Sequence, residues 1–235
     1  MFIGGMRALL LQSLHPLAMT GVARHSNYRT DPWGRLQRTA EFLAATTFGP
    51  VDLAEQAIDT VKAVHSRVKG VASDGRPYSA DDPHLLRWVH VAELDSFIAA
   101  HRAYGADSMS TVEYDEYVSD MAVIARKLGV SAPPMSERGL HDQLVAFRSE
   151  LRSSPESRDA ARYLLLQPPL DPLGRIPYSL IAAAAIAILP AWARLELRLP
   201  VLPVTDRLFA RPIGNAITGT IRWATAVESD EPTHR

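Results

Sequence analysis

The 235-residue sequence contains no cysteine. This absence excludes disulfide bonds, thiolate metal ligands and a cysteine nucleophile, so any metal would have to be bound by His, a carboxylate or Tyr. A chain without disulfides is compatible with the cytoplasm, and we predict a cytoplasmic protein on that basis.

Several other signatures are missing. The 25 basic and 26 acidic side chains nearly cancel, and no basic cluster indicates a nucleic-acid partner. The chain lacks a Gly-rich phosphate loop, a His-Glu-x-x-His zinc motif, a Gly-x-Ser-x-Gly elbow and the paired Glu-x-x-His motifs of di-iron bundles. Nucleotide-binding, zinc-protease, serine-hydrolase and di-iron classes therefore have no support in the sequence.

The pattern that is present is helical nearly throughout, because no segment alternates with period two over six or more residues. Pro, Gly and capping residues predict helices near 6–25, 35–47, 51–69, 82–104, 111–128, 136–152, 156–166, 177–199 and 205–226. We therefore predict an all-α fold, in which a single multi-helix bundle covers residues 1–227 and a disordered tail covers 228–235.

One apolar run requires a membrane check. It extends without interruption from Leu180 to Leu189, and a proline at position 190 follows. A membrane-spanning helix needs about 20 consecutive apolar residues. We therefore predict a buried core helix and no integral span, and we leave peripheral contact with a membrane open.

The predicted helix 51–69 carries a histidine beside an apolar stripe. Apolar residues recur at spacings of three and four and predict one buried face: Ala54, Ala57, Ile58, Val61, Val64 and Val68. His65 lies next to that face. A neutral imidazole in apolar surroundings can bind a metal or haem iron, and it can equally be a core side chain bonded to a backbone carbonyl. This helix alone leaves both interpretations open.

The predicted helix 82–104 places a second histidine near an acid. His90 lies on the apolar side of the helix, and Glu93 follows three residues later, so the two share a face. Such a pair can bind a metal or can form a hydrogen bond that joins two helices. Both interpretations are kept.

The predicted helix 35–47 begins with cationic residues. Arg35, Arg38 and Thr39 share one face, and cations at a helix start oppose the helix dipole. We infer an anionic partner for the two guanidinium groups, such as a carboxylate. His15 and His25, both on the predicted helix 6–25, can support a site or be purely structural.

An ordered set of motifs runs through the first 130 residues. It consists of Arg7-Ala8-Leu9-Leu10-Leu11-Gln12, Leu14-His15-Pro16, Gly21-Val22, His25-Ser26, Asp31-Pro32, Arg35-Leu36-Gln37-Arg38-Thr39, Phe48-Gly49, Val64-His65, Tyr78-Ser79-Ala80, Asp82-Pro83 and Leu86-Arg87-Trp88-Val89-His90. In order and spacing this set resembles the haem-dependent oxygenase family that includes the fungal MpaB oxygenase and the catalytic domain of the bacterial rubber oxygenase, latex-clearing protein.

The resemblance implies an all-α fold that encloses a haem b pocket, with His65 as the iron ligand and with Arg35 and Thr39 retaining the haem. His25 and His90 are further cofactor-binding candidates. The rubber oxygenase has a distal Lys where this chain has Arg38, and an arginine is a weak iron ligand because it keeps its proton. The rubber enzyme's distal Glu has no counterpart, since residues 6–25 contain no Glu.

The first hypothesis is therefore a haem b oxygenase that uses O₂ to oxidise or cleave a small apolar substrate, for example an isoprenoid. Its predicted catalytic residues are Arg35, Arg38 and Thr39. The second is a haem-binding or sensing protein without turnover, which the missing Glu favours. The third is a non-haem metal protein that uses His65, His90 and Glu93, and the fourth is a structural helical protein without a cofactor.

Overall fold

The computed structural model describes residues 1–26, 29–168 and 170–201 and positions 212, 214, 216, 218 and 219, with the side chains at 33 and 36 left out. Within this part lie ten helices and one two-stranded antiparallel sheet, which confirms the all-α prediction. They are α1 (Phe2–Gln12), α2 (Pro16–His25), α3 (Pro32–Phe48), α4 (Val51–His65), β1 (Lys69–Val71), β2 (Pro77–Ser79), α5 (Pro83–Tyr104), α6 (Thr111–Leu128), α7 (Glu137–Phe147), α8 (Pro155–Leu166), α9 (Pro172–Ala187) and α10 (Ala191–Leu197). The predicted helix 205–226 lies largely outside the described residues, and the predicted tail lies wholly outside them.

The predicted single helix 6–25 is wrong, because the chain breaks between α1 and α2. Pro16 has no N–H to donate and occupies the first position of α2, where none is needed. His15 is the residue before it, and its Nδ1 accepts a hydrogen bond from the Ala18 N–H. The break therefore turns a predicted kink into a new helix start capped by a histidine.

Three other predicted ranges are also wrong: helix 51–69 ends at His65 before β1, helix 136–152 ends at Phe147, and helix 177–199 is divided at Pro190 into α9 and α10. Other helix ends follow the predicted signals. Asp82 caps α5 with Pro83 in its first turn, and α5 ends before Gly105. Ser110 and Glu113 form a capping box at the start of α6. Gly129 ends that helix with a φ of 107°, a left-handed conformation in which a side chain would be strained.

The main core forms around α5. Trp88, Val91 and Leu94 are completely buried there, against α1, α6 and α7. A buried arginine joins three elements: Arg7 of α1 donates to the Asp95 carboxylate (2.7 Å) and the Ser96 hydroxyl (2.7 Å) of α5 and to the Ile188 carbonyl (3.0 Å) after α9. We call this set the Arg7 clamp.

Helices α3 and α4 pack mainly against each other, and we call this pair the arm. Within α4 only Ile58 is fully buried, and Phe48 at the end of α3 is 83% exposed. The arm contacts the rest of the molecule chiefly where α4 meets α6, and an ion pair between Glu55 and Lys127 joins these two helices. Among the described helices, α3 and α4 thus have the fewest buried residues.

The apolar run after residue 180 falls mainly in α9. Ala182, Ala184 and Ala185 are buried there, as the prediction of a core helix requires, and Pro190 separates α9 from α10. Among the described residues no single helix is long and apolar enough to span a membrane. Helices α9 and α10 meet the length and composition criteria only as a pair bent by 119°.

Candidate functional site

His65 is the last residue of α4, at the end of the arm nearest the small sheet. It is half-buried, and burial lowers the pKa of its imidazole, with a smaller opposite effect from Asp81. The ring is therefore neutral at pH 7, and it makes no hydrogen bond to any residue that the structure describes. A neutral, unpaired imidazole has a nitrogen lone pair free for a metal.

The apolar stripe beside His65 is covered less well than its sequence predicts. Ile58 is fully buried, Val61 is half-buried and Val64 is 54% exposed. An amphipathic helix that packs against a hydrophobic core normally buries such a stripe. The described residues therefore leave part of the apolar side of the arm without a protein cover.

The three predicted residues of α3 lie near its start. The Thr39 hydroxyl donates to the Arg35 carbonyl at 2.9 Å, which is an ordinary contact within a helix. Arg38 is exposed and pairs with Asp31 at 3.3 Å. The anionic partner inferred for Arg38 is therefore found in the chain itself, seven residues earlier at the N-cap of α3.

His25 lies at the end of α2 and reaches the small sheet. Its Nε2 is 3.0 Å from the hydroxyl of Tyr78, which is buried in β2. The sheet allows this approach because Gly70, opposite Tyr78, has no side chain, and a Cβ there would lie 2.7 Å from the tyrosine oxygen. No local pattern predicts this contact, because Tyr78 is 53 residues away from His25 in the chain.

His90 and Glu93 lie on α5, and burial is the main cause of the shifted pKa of each side chain. His90 is 91% buried, its Nε2 has no hydrogen-bond partner among the described residues, and burial lowers its pKa to about 4. Burial raises the pKa of Glu93 to about 7 although the side chain keeps some accessible surface. Nearby on α6, burial and the Glu93 carboxylate raise the pKa of Tyr117 to about 12. This region therefore holds a neutral imidazole and an acid whose pKa lies much closer to neutrality than that of an exposed carboxyl group.

A separate cluster, which we call the Glu150 cluster, forms at the start of α2. Nε2 of His15 lies 3.4 Å from Oε2 of Glu150, and Nε2 of His84 lies 2.8 Å from the same oxygen. His15 is buried, whereas the other two side chains are about two-fifths exposed. Trp88 and Phe147 border the cluster with their rings.

Among the described residues, the Glu150 cluster is the only group of His and acidic side chains whose ligand atoms lie close enough to hold a metal. His65, His90 and Glu93 do not come together in such a group, so the third hypothesis lacks its site. The sequence does not indicate the contact between His84 and Glu150. Glu150 is 66 residues away in the chain, and no local pattern links the two.

By its fold the chain is an all-α protein, and its neutral, partly buried histidines are of the kind that bind metals or cofactors. A family model described as the catalytic domain of ER-bound oxygenase mpaB/B′ and rubber oxygenase matches residues 1–223. The chain therefore belongs to this oxygenase family, whose reactions require O₂ and a substrate. Neither the curated proteins nor the solved structures include a significant match to it.

Proposed function

We propose that this protein is a haem b-dependent oxygenase in which His65 is the protein ligand to iron. The observation that carries the proposal is the state of His65: neutral, half-buried and without a hydrogen-bond partner among the described residues. The partly uncovered apolar side of the arm supports it, because a porphyrin ring is a flat apolar surface of the kind that such a face covers.

The residues present fit this cofactor. His65 would bind the iron, Arg35 and Thr39 would retain the haem from α3, and His25 and His90 are further candidates for binding it. When bound, haem iron would supply the redox chemistry that activates O₂. The chain's own contribution is then to hold the ring of His65, to exclude water with apolar side chains and to place Arg38 as a fixed positive charge. The substrate in this proposal is small and apolar, for example an isoprenoid.

Two further proposals concern the domain organisation and the location of the chain. We propose one haem-oxygenase-like domain over residues 1–227, with the cytoplasm as its location. Peripheral contact with a membrane stays a prediction that the described helices do not test.

One observation favours a second candidate, a haem-binding or sensing protein without turnover. Helices α1 and α2 contain no Glu, and the exposed Arg38 is already paired with Asp31. Such a site would keep His65 as the iron ligand and would lack an acidic group on the helix where the rubber oxygenase has one.

The test is haem titration of the purified protein, followed by absorption spectroscopy. We expect a Soret band in the wild type, loss of most of it in His65→Ala, and an unchanged band in His141→Ala, since His141 is an exposed residue of α7. No Soret band in the wild type would contradict both candidates. Oxygen uptake with an isoprenoid polyene then separates them, because only the oxygenase consumes O₂ and substrate together.

A further inference from the structure

Hydrogen bonds around the Glu150 cluster determine which ring nitrogens carry protons. The Ala18 N–H donates to Nδ1 of His15 at 3.5 Å, so the proton of this neutral ring is on Nε2, facing Glu150. Arg87 donates to Nδ1 of His84 at 3.2 Å, which places that proton on Nε2 as well. Both imidazoles are therefore donors to one carboxylate.

This arrangement argues against a metal ion, although the ligand atoms lie within 4.8 Å of one another. A metal-binding imidazole needs a bare nitrogen toward the ion and usually donates its other N–H to an acceptor. Here the second nitrogen of each ring faces a donor instead. The guanidinium of Arg87, in contact with His84, adds a positive charge that would repel a cation.

We propose that the Glu150 cluster is a proton-sensitive latch: it holds the start of α2 against α5 while His15 is neutral, and it opens when His15 takes up a second proton. The three residues come from three separate segments, namely the N-cap of α2, the first turn of α5 and the loop after α7. The latch does not depend on the proposed haem function.

The second proton acts on the helix cap. It adds an N–H at Nδ1 of His15, which then faces the Ala18 N–H, so two donors meet where a donor and an acceptor did. Helix α2 loses its side-chain cap, and its first turn opens more often. The opposite end of α2 carries His25 and its contact with Tyr78, so loosening of this helix extends toward the cofactor-binding candidates.

The charges around His15 set the direction of the pH dependence. Burial has the largest effect and lowers its pKa, whereas the hydrogen bond and charge of Glu150 raise it; His84 and Arg76 add smaller lowering effects. In the folded protein the pKa of His15 is therefore below 6.5, the ordinary value for a histidine in an unfolded chain. The latch contributes its full stability above pH 6.5, and this contribution is lost as the pH falls below that value.

The first experiment uses the full-length wild type and nuclear magnetic resonance. We expect the Ala18 amide and the His15 ring to titrate together, at a pH below 6.5. Over the same range, exchange of the α2 first-turn amides should rise about fivefold beyond its intrinsic pH dependence, the size of a typical lost cap. Titration of the His15 ring without any change at Ala18 would overturn the latch.

Two variants sharpen the test. His15→Asn keeps a capping acceptor but has no proton to gain, so its unfolding free energy should fall less than that of the wild type between pH 7 and pH 5. Glu150→Gln removes the charge that favours protonated His15, so its transition should move to lower pH. His141→Asn, an exposed histidine on α7, is the control and should keep the wild-type slope.

Two results with these variants would contradict the proposal. A wild-type slope in His15→Asn, or a transition at higher pH in Glu150→Gln, would contradict the latch. Metal analysis of the freshly purified wild type decides the rival interpretation. One divalent ion per chain that is absent from both His15→Asn and Glu150→Gln would show a metal site instead, whereas a metal-free wild type supports the latch.

Discussion

The core around α5 and the arm formed by α3 and α4 differ in how completely the rest of the protein buries their side chains. In the core, Trp88 and Leu94 are fully buried, and the Arg7 clamp satisfies a buried charge with three partners. In the arm, only Ile58 of α4 is fully buried. The proposed iron ligand His65 and the arginines Arg35 and Arg38 nevertheless lie on the arm.

This difference indicates that the core mainly provides stability, whereas the arm carries the residues proposed to bind the cofactor. The core supplies most of the stability, because stability follows buried apolar area and satisfied buried charge. The arm carries His65, Arg35 and Thr39 on helices that the described residues leave partly uncovered. A cofactor that fills the space beside the arm would complete it, and the following predictions test each side of this comparison.

The largest effect is expected in the core, from Arg7→Ala. Removing Arg7 leaves the Asp95 carboxylate without its buried partner and should lower the unfolding free energy by about 3 kcal/mol. Chemical denaturation measures this loss. Arg138→Ala, a change of an exposed arginine on α7, should alter stability by less than about 0.5 kcal/mol. Equal effects of the two changes would show that the clamp is not a main support of the core.

Glu93→Gln should change the pH dependence of stability by about 2 kcal/mol. Burial raises the pKa of Glu93 to about 7, so the folded state holds a proton that the unfolded state releases above about 4.5. Wild-type stability from this group therefore falls as the pH rises from 4.5 to 7, and the uncharged variant avoids the loss. Denaturation curves at pH 5 and pH 8 should show the variant gaining relative to the wild type at pH 8. Parallel curves would mean that Glu93 is not desolvated.

Gly129→Ala should cost about 1.5 kcal/mol, because a side chain is strained at a φ of 107°. Gly5→Ala is the matched control, since this helical position has open space for a Cβ and should become slightly more stable. Thermal unfolding of both variants should therefore shift in opposite directions. A shift in the same direction would contradict the described end of α6.

The smallest effect is expected in the arm. Val61→Ser changes a half-buried side chain and should cost less than about 1 kcal/mol in haem-free protein. If the cofactor covers the apolar side of α4, the same change should cost more in haem-loaded protein. Val51→Ser, at a residue that is 72% exposed, is the control and should have little effect in either form. An unchanged cost for Val61→Ser after haem loading would contradict a cofactor cover on this face.

The sequence predicted the features that local chemistry determines. Asp82 with Pro83 starts α5, and Gly129 ends α6, because caps and turns depend on neighbouring residues. It did not predict the break before Pro16, where a kink and a new helix start give the same pattern. Contacts between distant segments also escaped it, as His15 and Glu150 are 135 residues apart.

The burial of single side chains was predicted only in part, because it too depends on contacts between distant segments. Periodicity identifies the apolar face of α4, but it does not say what covers that face. The raised pKa of Glu93 and the unpaired Nε2 of His90 arise from packing between helices. The predicted roles of Arg35, Arg38, Thr39 and His25 stay predictions.

The central claim is that His65 binds haem iron, and replacing the ring with an added ligand tests it most directly. His65→Gly should lose the iron–histidine vibration of the ferrous haem complex, and added imidazole should restore an iron–imidazole band and the Soret band together. The same band in untreated His65→Gly and wild type would contradict the claim, because another residue would then be the ligand.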